Sequence, residues 1–386
     1  MGVLFVALAA GVPGPVAAQQ VYTLDPPPEI GSLLDKLRKK QDRVRATFAL
    51  ADRDDAAPYL RHELRLANDK FYKQDLAEAL HAIEKRAFER NKKRLAWWAT
   101  TRRFDLCAEL IVACPSDKEA VGLADLTTRA AREVGAEAAE RLGIAFGPGP
   151  GLWLPSPFSQ VTVYTQLADE KVIVPRGYNS SGQTLVRADI CELGVNDTHC
   201  FFVAVRSGIH YLDPKMLLGN VWLNSIALIN NSMSVRAVES SVIICDGDVE
   251  LLDLWKERCV IIANGNIRGA SHTKWSVLGA AGDILTRRGE KNVLYAGGKV
   301  EAPGPTDRVY QKQQALPFGV RFVSPADFGL ELAAQNGGMQ VLGITPDSPF
   351  AKYGVKDGDV ITAIDEVAAD SIPAFRRQLR RGTLAE

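Results

Sequence analysis

The sequence lacks several features that would narrow its function at once. It has no Cys-x-x-Cys motif and its five histidines are scattered, so neither a metal site nor a cofactor is predicted. Charge of one sign is also missing, because Lys and Arg total 46 and Asp and Glu also total 46, so no overall attraction to nucleic acid is implied. Beyond the first 18 residues there is no uninterrupted apolar run of about 18 residues, so no integral membrane span is predicted.

The first 18 residues are mostly apolar and end in small side chains. The run Val3–Ala10 is followed by Val16-Ala17-Ala18 and then by polar residues, a pattern typical of a secretory signal peptide at residues 1–18. The pattern predicts an exported protein, which is periplasmic, secreted or associated with the cell envelope. A buried N-terminal strand or helix is the alternative for the same residues.

Six cysteines fall in three pairs that are close in sequence: Cys107 with Cys114, Cys191 with Cys200, and Cys245 with Cys259. An exported chain permits disulfides between them. Buried free thiols that pack as small apolar side chains are the alternative.

Residues 19–146 are predicted to be helical. Leu76, Leu80 and Ile83 keep the three-to-four-residue spacing of an amphipathic helix, as do other apolar residues of the region. The Gly- and Pro-rich residues 147–155 are predicted to be a linker, because neither residue type lets a helix continue.

The helical region is basic. Residues 33–103 contain 19 Lys and Arg against 11 Asp and Glu, and the densest part leads into Trp97 and Trp98. We interpret the cations as a solvated helix face with both tryptophans in the core. Binding of nucleic acid or an anionic envelope polymer is the alternative, and nucleic acid is not a predicted partner of an exported protein.

Residues 156–302 are predicted to be rich in β-strands, with repeats over about 202–302. Five segments share an apolar strand, a tight turn of Asn, Asp or Gly, and a further apolar residue; they begin at Ile226, Val242, Val260, Val277 and Val293. The first residues lie 16, 18, 17 and 16 positions apart. This period predicts a parallel β-solenoid, because each coil must return to the same position about 4.8 Å above the last.

The repeat makes further predictions about this solenoid. Its valines are expected to form one interior ladder, and four glycines are expected to supply a positive φ at the corners: Gly247, Gly265, Gly282 and Gly298. The pattern is similar to short-coil β-helix domains such as the bactofilins, which are structural polymer-formers, and open solenoid ends tend to associate unless capped, so self-association is an open expectation. An antiparallel sandwich is the alternative fold.

After a linker at 303–316, residues 317–386 carry the clearest motif. Ser348–Ile361 reads SPFAKYGVKDGDVI, which resembles the signature of bacterial PDZ domains of the kind that accompany HtrA proteases. The resemblance implies a short helix from Ser348-Pro349, a left-handed cap at Gly354, and a turn at Asp357-Gly358-Asp359 into a strand.

The resemblance also implies a binding site for a peptide or a protein C-terminus, which adds as a strand beside a groove-lining helix. The expected loop and strand residues are Phe328, Gly329, Leu330, Glu331 and Leu332. The expected helix residues are Ile372, Phe375 and Leu379, although most of that face is core by default. The family has one more strand after Thr383, so either the chain is truncated or residues 318–323 cover that edge of the sheet.

The predicted fold class is a multidomain α+β protein with an N-terminal helical region, a central parallel β-solenoid and a C-terminal PDZ domain. The predicted function is an exported, non-catalytic scaffold or adaptor, with no catalytic residues assigned. The alternative is a divergent hydrolase with an accessory PDZ domain.

An HtrA-like protease needs a Gly-x-Ser-Gly loop preceded by its histidine, whereas Ser180-Ser181-Gly182 follows Asn179. The histidines before it, His62 and His81, lie in helical sequence, and His199, His210 and His272 come later in the chain. A polysaccharide-acting β-helix needs paired carboxylates on one face. The candidates are Asp246, Asp248 and Asp283, which are expected to bond backbone in their turns.

Overall fold

The structure is a computed structural model. It describes residues 6–9, 20–21, 26–143, 161–174, 183–193, 196–199, 201–205, 209–211, 220–223, 225–235, 237–252, 256–269, 272–335, 337–364 and 367–385. Its helices are α1 (Pro28–Arg38), α2 (Arg43–Ala51), α3 (Ala57–Leu66), α4 (Lys70–Thr100), α5 (Phe104–Ala113), α6 (Asp117–Leu142), α7 (Pro349–Lys352) and α8 (Ile372–Ala385). Short 3-10 turns cover Asp54–Ala56, Pro317–Gly319 and Pro325–Phe328. The predicted linker at 147–155 lies outside the described residues.

The described strands are β1 (Val6–Ala9), β2 (Gln20–Val21), β3 (Val161–Val174), β4 (Gln183–Leu193), β5 (Asn196–His199), β6 (Phe201–Val205), β7 (Ile209–Tyr211), β8 (Asn220–Leu223), β9 (Ile226–Ile229), β10 (Met233–Val235), β11 (Ala237–Glu239), β12 (Val242–Cys245), β13 (Val249–Leu251), β14 (Lys256–Glu257), β15 (Val260–Ala263), β16 (Ile267–Gly269), β17 (Thr273–Lys274), β18 (Val277–Ala280), β19 (Ile284–Leu285), β20 (Gly289–Glu290), β21 (Val293–Ala296), β22 (Val300–Glu301), β23 (Arg308–Tyr310), β24 (Leu330–Gln335), β25 (Gly338–Ile344), β26 (Val360–Ile364) and β27 (Val367–Ala368).

The chain forms two compact units. The first combines residues 1–91 with 323–386, and the second is 92–322. Thus α1 to α3 and most of α4 share a unit with the C-terminal sheet, while α5 and α6 share one with the solenoid.

The helices of the first unit bury the apolar face that their spacing predicts. Leu76, Leu80 and Ile83 of α4 lie in one core cluster with Ile30 and Leu34 of α1. This cluster is the reason α1 to α4 fold together, because an amphipathic helix is stable only when its apolar stripe is covered.

The two tryptophans near the end of α4 have different environments. Trp98 is buried, as expected, whereas the side chain of Trp97 is 61% exposed, so the prediction that both lie in the core is wrong for Trp97. Successive helical residues point about 100° apart, and a single apolar stripe therefore covers only one of two neighbours.

The middle of the chain is a parallel β-solenoid of about five turns with three faces. The first face runs β6-β9-β12-β15-β18-β21-β23, the second β7-β10-β13-β16-β19-β22, and the third β5-β8-β11-β14-β17-β20. The long strand β4 joins the first two faces and pairs with β3. Every ladder of the three faces is parallel, so the prediction of a solenoid is confirmed and the antiparallel sandwich is wrong.

The predicted valine ladder exists in register, but it is not the interior one. Val242 pairs with Val260, and Val260 with Val277. The interior cluster instead contains Ile243 and Ile261, one position further along each strand. Since side chains alternate across a strand, the valines point outward.

The outward side of the first face is also buried, because two helices cover it. Helix α5 contacts β4, β6 and β9, and α6 contacts β12 and β15. Val242 and Ile244 are therefore as inaccessible as the interior Ile243. Burial on both sides explains why these strands are continuously apolar instead of alternating.

A buried arginine attaches both helices to the solenoid. Arg187 of β4 donates from its guanidinium to the carbonyl oxygens of Ile111 (3.4 Å) and Cys114 at the end of α5. The same guanidinium donates to the carboxylate of Asp117 at 2.7 Å and to the hydroxyl of Thr165 at 2.8 Å. It thus adds a donor for carbonyl oxygens at the end of α5, where that of Ile111 also accepts the N–H of Cys114 at 3.4 Å.

The corner glycines of the solenoid are required for a different reason from the predicted one. None of the four adopts a φ in the left-handed region. They make room for side chains of the preceding coil: a Cβ on Gly265 would lie 2.2 Å from Oδ1 of Asp248, and one on Gly298 2.0 Å from Oδ1 of Asp283. Asp248 Oδ1 accepts the backbone N–H of Asn266 at 2.6 Å, so the ladder links one coil to the next.

Gly265→Ala is expected to destabilise the solenoid unit by about 1–3 kcal/mol, because the added methyl would also approach the backbone of Gly247 to 2.8 Å. Urea unfolding would measure the loss. Gly122→Ala is the matched control, since nothing lies within 4 Å of that position inside α6, and it is expected to stabilise by up to about 1 kcal/mol. Equal effects of the two substitutions would contradict the steric role of Gly265.

The described cysteine thiols form no disulfide. Cys107, Cys114, Cys245 and Cys259 are all buried and unbonded to one another. Burial raises the pKa of Cys259 to about 12. Buried thiols without a disulfide are therefore the outcome for these two sequence pairs, while Cys200 of the third pair lies outside the described residues.

The C-terminal sheet has the order β2-β1-β26-β25-β24, with β27 on β26. Neighbouring strands in that order are antiparallel. Strand β1 pairs with β26 from Val6 opposite Ile364 to Ala9 opposite Val360. Residues 318–323 form no strand, so the alternative in which they cover an edge of this sheet is wrong; β1 is the strand beside β26. A strand was the alternative to a signal peptide for the first 18 residues; export itself stays a prediction.

Candidate functional site

The loop that enters β24 is shaped by a 3-10 turn with a glycine at its end. Asp327 accepts the N–H of Ser324 at 3.0 Å, which closes the start of the turn. Gly329 ends it with φ +68°, and its N–H donates to Ala326 O at 3.0 Å. A Cβ on Gly329 would lie 2.1 Å from Oγ1 of Thr345, so both the backbone conformation and the space require glycine.

Strand β24 is an edge strand. Among the described strands it pairs with β25 alone, with a bulge between Glu331 and Leu332. Thr345 N–H donates to Gly329 O at 2.9 Å, so the Gly329 carbonyl faces β25. Because antiparallel pairs alternate between bonded and non-bonded, the N–H of Leu330 faces the open edge. The edge therefore offers backbone donors and acceptors to an added strand.

An aromatic cluster holds this loop against the helices. Phe328 meets Phe350 edge-on with ring centroids 6.5 Å apart, and Phe350 stacks on Phe375 at 6.0 Å. Phe350 and Phe375 are fully buried. Contacts of this kind add directional stabilisation to the area that the rings bury.

Ser348 links the sequence motif to the loop. Its hydroxyl donates to Phe328 O at 2.7 Å and accepts the N–H of Phe350 at 3.2 Å, which caps α7. The motif predicted the helix start, but not the bond to Phe328, because that carbonyl lies 20 residues earlier in the chain. Gly354 has φ +82°, as the predicted left-handed cap requires.

The eight predicted site residues divide into two groups. Phe328, Gly329, Leu332 and Ile372 are half-buried and Glu331 is exposed, so they are accessible beside the open edge. Leu330, Phe375 and Leu379 are buried and support the site from below. Phe375 and Leu379 therefore belong to the part of the helix face that lies in the core.

Helix α8 is buried on its polar side as well. The side chains of Arg376, Gln378 and Arg380 are at most 9% exposed. Near its end, Leu384 O accepts a hydrogen bond from Asn91 Nδ2 of α4 at 2.5 Å. The C-terminal sheet and its helix thus fold together with the helices of the first unit.

The profile of the PDZ domain family matches residues 320–384. Residues 320–384 are a PDZ domain. No curated protein and no solved structure matches the chain. The HtrA subtype and the likeness to bactofilins therefore remain predictions. A PDZ domain binds proteins or peptides.

The carboxylates considered as catalytic groups of a hydrolase form hydrogen bonds within the solenoid. Asp248 and Asp283 each accept a backbone N–H of the following coil, from Asn266 and from Lys299. Asp246 is buried and accepts from Asn264 Nδ2 at 2.7 Å. The segment around Ser180 lies outside the described residues. Among the residues that the structure describes, no helix is long and apolar enough to cross a membrane.

Proposed function

We propose that the chain is a non-catalytic adaptor whose PDZ domain binds the C-terminal end of a peptide or protein as an added strand on β24. The observation that supports this most directly is the open edge of β24 immediately after the glycine loop. The ligand strand would gain backbone hydrogen bonds from Leu330 and Leu332, because their backbone groups alternate along β24 with those of Glu331, which face β25. Phe328 and Ile372 would contact its side chains.

The carboxylate of the ligand would be received by the N–H of Leu330. Gly329 N–H already donates within the 3-10 turn, so its role is to shape the loop. A hydrogen bond to a charged acceptor contributes about 1.5–3 kcal/mol, which corresponds to roughly 10- to 100-fold in affinity.

We also propose that the adaptor is exported and that its solenoid mediates self-association. The apolar residues 3–10 and the small residues before Gln19 support export, and cleavage after Ala18 would remove β1 from its place beside β26. Strand β23 supports self-association, because among the described strands it pairs with β21 alone and ends the first face. N-terminal sequencing of the exported protein and sedimentation of the full chain test these two points.

Isothermal titration of the full chain with a library of C-terminal peptides tests the binding proposal. A selected peptide is expected to lose about 10- to 100-fold in affinity when its carboxylate is converted to an amide. N-methylation of alternate ligand amides is expected to weaken binding as well, because strand addition uses them. Equal binding of acid and amide forms, or no binding by any peptide, would refute the proposal.

A pair of glycine variants separates the loop from general stability. Gly329→Ala is expected to abolish peptide binding, because the methyl clashes with Thr345. Gly337→Ala is the matched control: Gly337 has φ +85° but open space around it, so it carries the same backbone strain without the clash. Its affinity is expected to stay within about threefold of the unsubstituted chain.

A further inference from the structure

Two parts of the first unit meet at one corner, which we call the helical corner (residues 36–48 and 69–75). Lys40 Nζ lies 3.1 Å from the carboxylate of Asp69, and Arg43 Nε lies 2.6 Å from that of Asp75. Arg43 also donates to Phe71 O at 2.9 Å. The α1–α2 turn, the start of α2 and the start of α4 therefore form a continuous surface.

Three large apolar side chains project from the helical corner into solvent. Val44 is 71% exposed, Phe48 61% and Phe71 57%. Val44 and Phe48 are one turn apart on α2, and the guanidinium of Arg43 lies over the Phe71 ring, 5.4 Å from its centroid. Scattered exposed apolar residues are ordinary on a protein surface, but a group of three on one corner indicates a contact surface.

The corner also carries cations whose charge is not neutralised. Its carboxylates Asp69 and Asp75 form ion pairs with Lys40 and Arg43. Five further exposed cations form no side-chain ion pair or hydrogen bond with a described residue: Lys36, Lys39, Arg45, Lys70 and Lys73. Arg38 is ion-paired with Asp35 and Glu63. Asp42 is the exposed carboxylate in the same segments that is likewise unpaired, so the unpaired cations exceed the unpaired carboxylate by four charges.

We propose that the helical corner docks on an anionic lipid surface. Exposed Phe and Val between Lys and Arg are the combination by which peripheral proteins bind such a surface: the apolar side chains enter the interface and the cations meet the headgroups. Aliphatic Val44 has no ring to stack on a base, which argues against nucleic acid. The cleft at the corner, about 220 Å³, is lined by the ion-paired Arg38, Lys40 and Asp69, which argues against an apolar peptide groove.

The expected strength follows from the charges. Each Lys or Arg near an anionic membrane contributes about fivefold in binding, so an excess of four gives roughly several hundredfold before insertion of the apolar side chains. Raising the salt concentration from about 0.1 to 1 M shortens the Debye length from about 10 to 3 Å. It is expected to remove most of the electrostatic contribution to binding.

Flotation of the full chain with vesicles tests the proposal. Vesicles containing about one third phosphatidylserine are expected to bind the chain, and pure phosphatidylcholine vesicles are not. A triple variant with Lys36, Lys39 and Lys73 changed to alanine is expected to bind about 100-fold more weakly. Its matched control changes the exposed Arg287, Lys299 and Lys312 of the solenoid unit to alanine and is expected to bind like the unsubstituted chain.

Phe48→Ser tests the apolar contribution without changing charge, and about a tenfold loss is expected. All three variants alter exposed side chains, and circular dichroism confirms their folding. Equal binding to neutral vesicles, or equal losses in the triple variant and its control, would overturn the proposal. So would an oligonucleotide or poly-glutamate that binds the chain more tightly than the vesicles and loses this binding in the triple variant. The proposal is independent of peptide binding by the PDZ domain.

Discussion

Arg187→Ala is expected to destabilise the solenoid unit by about 2–4 kcal/mol, the largest effect we expect from any single polar side chain of this unit. The substitution removes this donor from the carbonyl oxygen of Cys114, leaves that of Ile111 with the N–H of Cys114 at 3.4 Å, and opens a cavity between α5 and β4. Arg187→Lys is expected to recover only part of the loss, because an ammonium cannot reproduce the fork of donors.

Urea unfolding of the two Arg187 variants measures this effect. Arg129→Ala is the control, since Arg129 is an exposed residue of α6 whose ion pair with Asp125 should contribute less than about 0.5 kcal/mol. If Arg187→Ala and Arg129→Ala unfold at the same urea concentration, the attachment of the helices does not depend on Arg187.

The same network predicts a sensitivity to acid. The hydroxyl of Thr165 and the guanidinium of Arg187 hold the pKa of Asp117 below its usual value. The stabilisation is therefore complete above the pKa of the unfolded chain, near 4, and is lost as the pH falls through the lower folded pKa. In Arg187→Ala, the loss of stability at low pH that comes from protonation of Asp117 is expected to be smaller.

Phe350→Ala is expected to lower the free energy of unfolding by about 3–5 kcal/mol and to abolish peptide binding. Phe350 is fully buried between Phe328 of the loop and Phe375 of α8, so its loss removes the support of the glycine loop. Phe350→Leu keeps most of the volume and is expected to cost about 1.5 kcal/mol or less.

Hydrogen exchange of β24, β25 and β26 locates the effect of Phe350→Ala in the PDZ domain. Titration with a selected peptide measures the affinity of the binding site. In Phe350→Leu we expect a folded sheet with weakened binding, because a leucine cannot stack on Phe375 or meet Phe328 edge-on. Unchanged affinity in Phe350→Leu would show that the aromatic cluster serves stability alone.

Much of the fold was predictable because it depends on local repetition. The spacing of Leu76, Leu80 and Ile83 predicted a helix and its buried face, and the period near 17 predicted a parallel solenoid in the observed register. The motif from Ser348 to Ile361 predicted the PDZ domain and its loop at Gly329.

Other features required the folded chain. The repeat predicts a positive φ for the glycine ladder, whereas Gly265 is needed because Asp248 of the previous coil occupies the space of a side chain. The interior position of the solenoid strands was assigned one residue too early, at Val242. When every residue of a strand is apolar, the sequence shows neither how closely the next coil approaches nor which side chains face the interior.

The sequence by itself determined the order of the helical, solenoid and PDZ regions, because the periods of 3.6, 2 and about 17 and the turn residues act between near neighbours. Tertiary structure alone decided which side of each strand faces inward, that β1 covers one edge of the PDZ sheet while β24 stays open, and that Trp97 is exposed beside buried Trp98. These outcomes depend on which distant surface covers a side chain or a strand edge, and no local pattern carries that information.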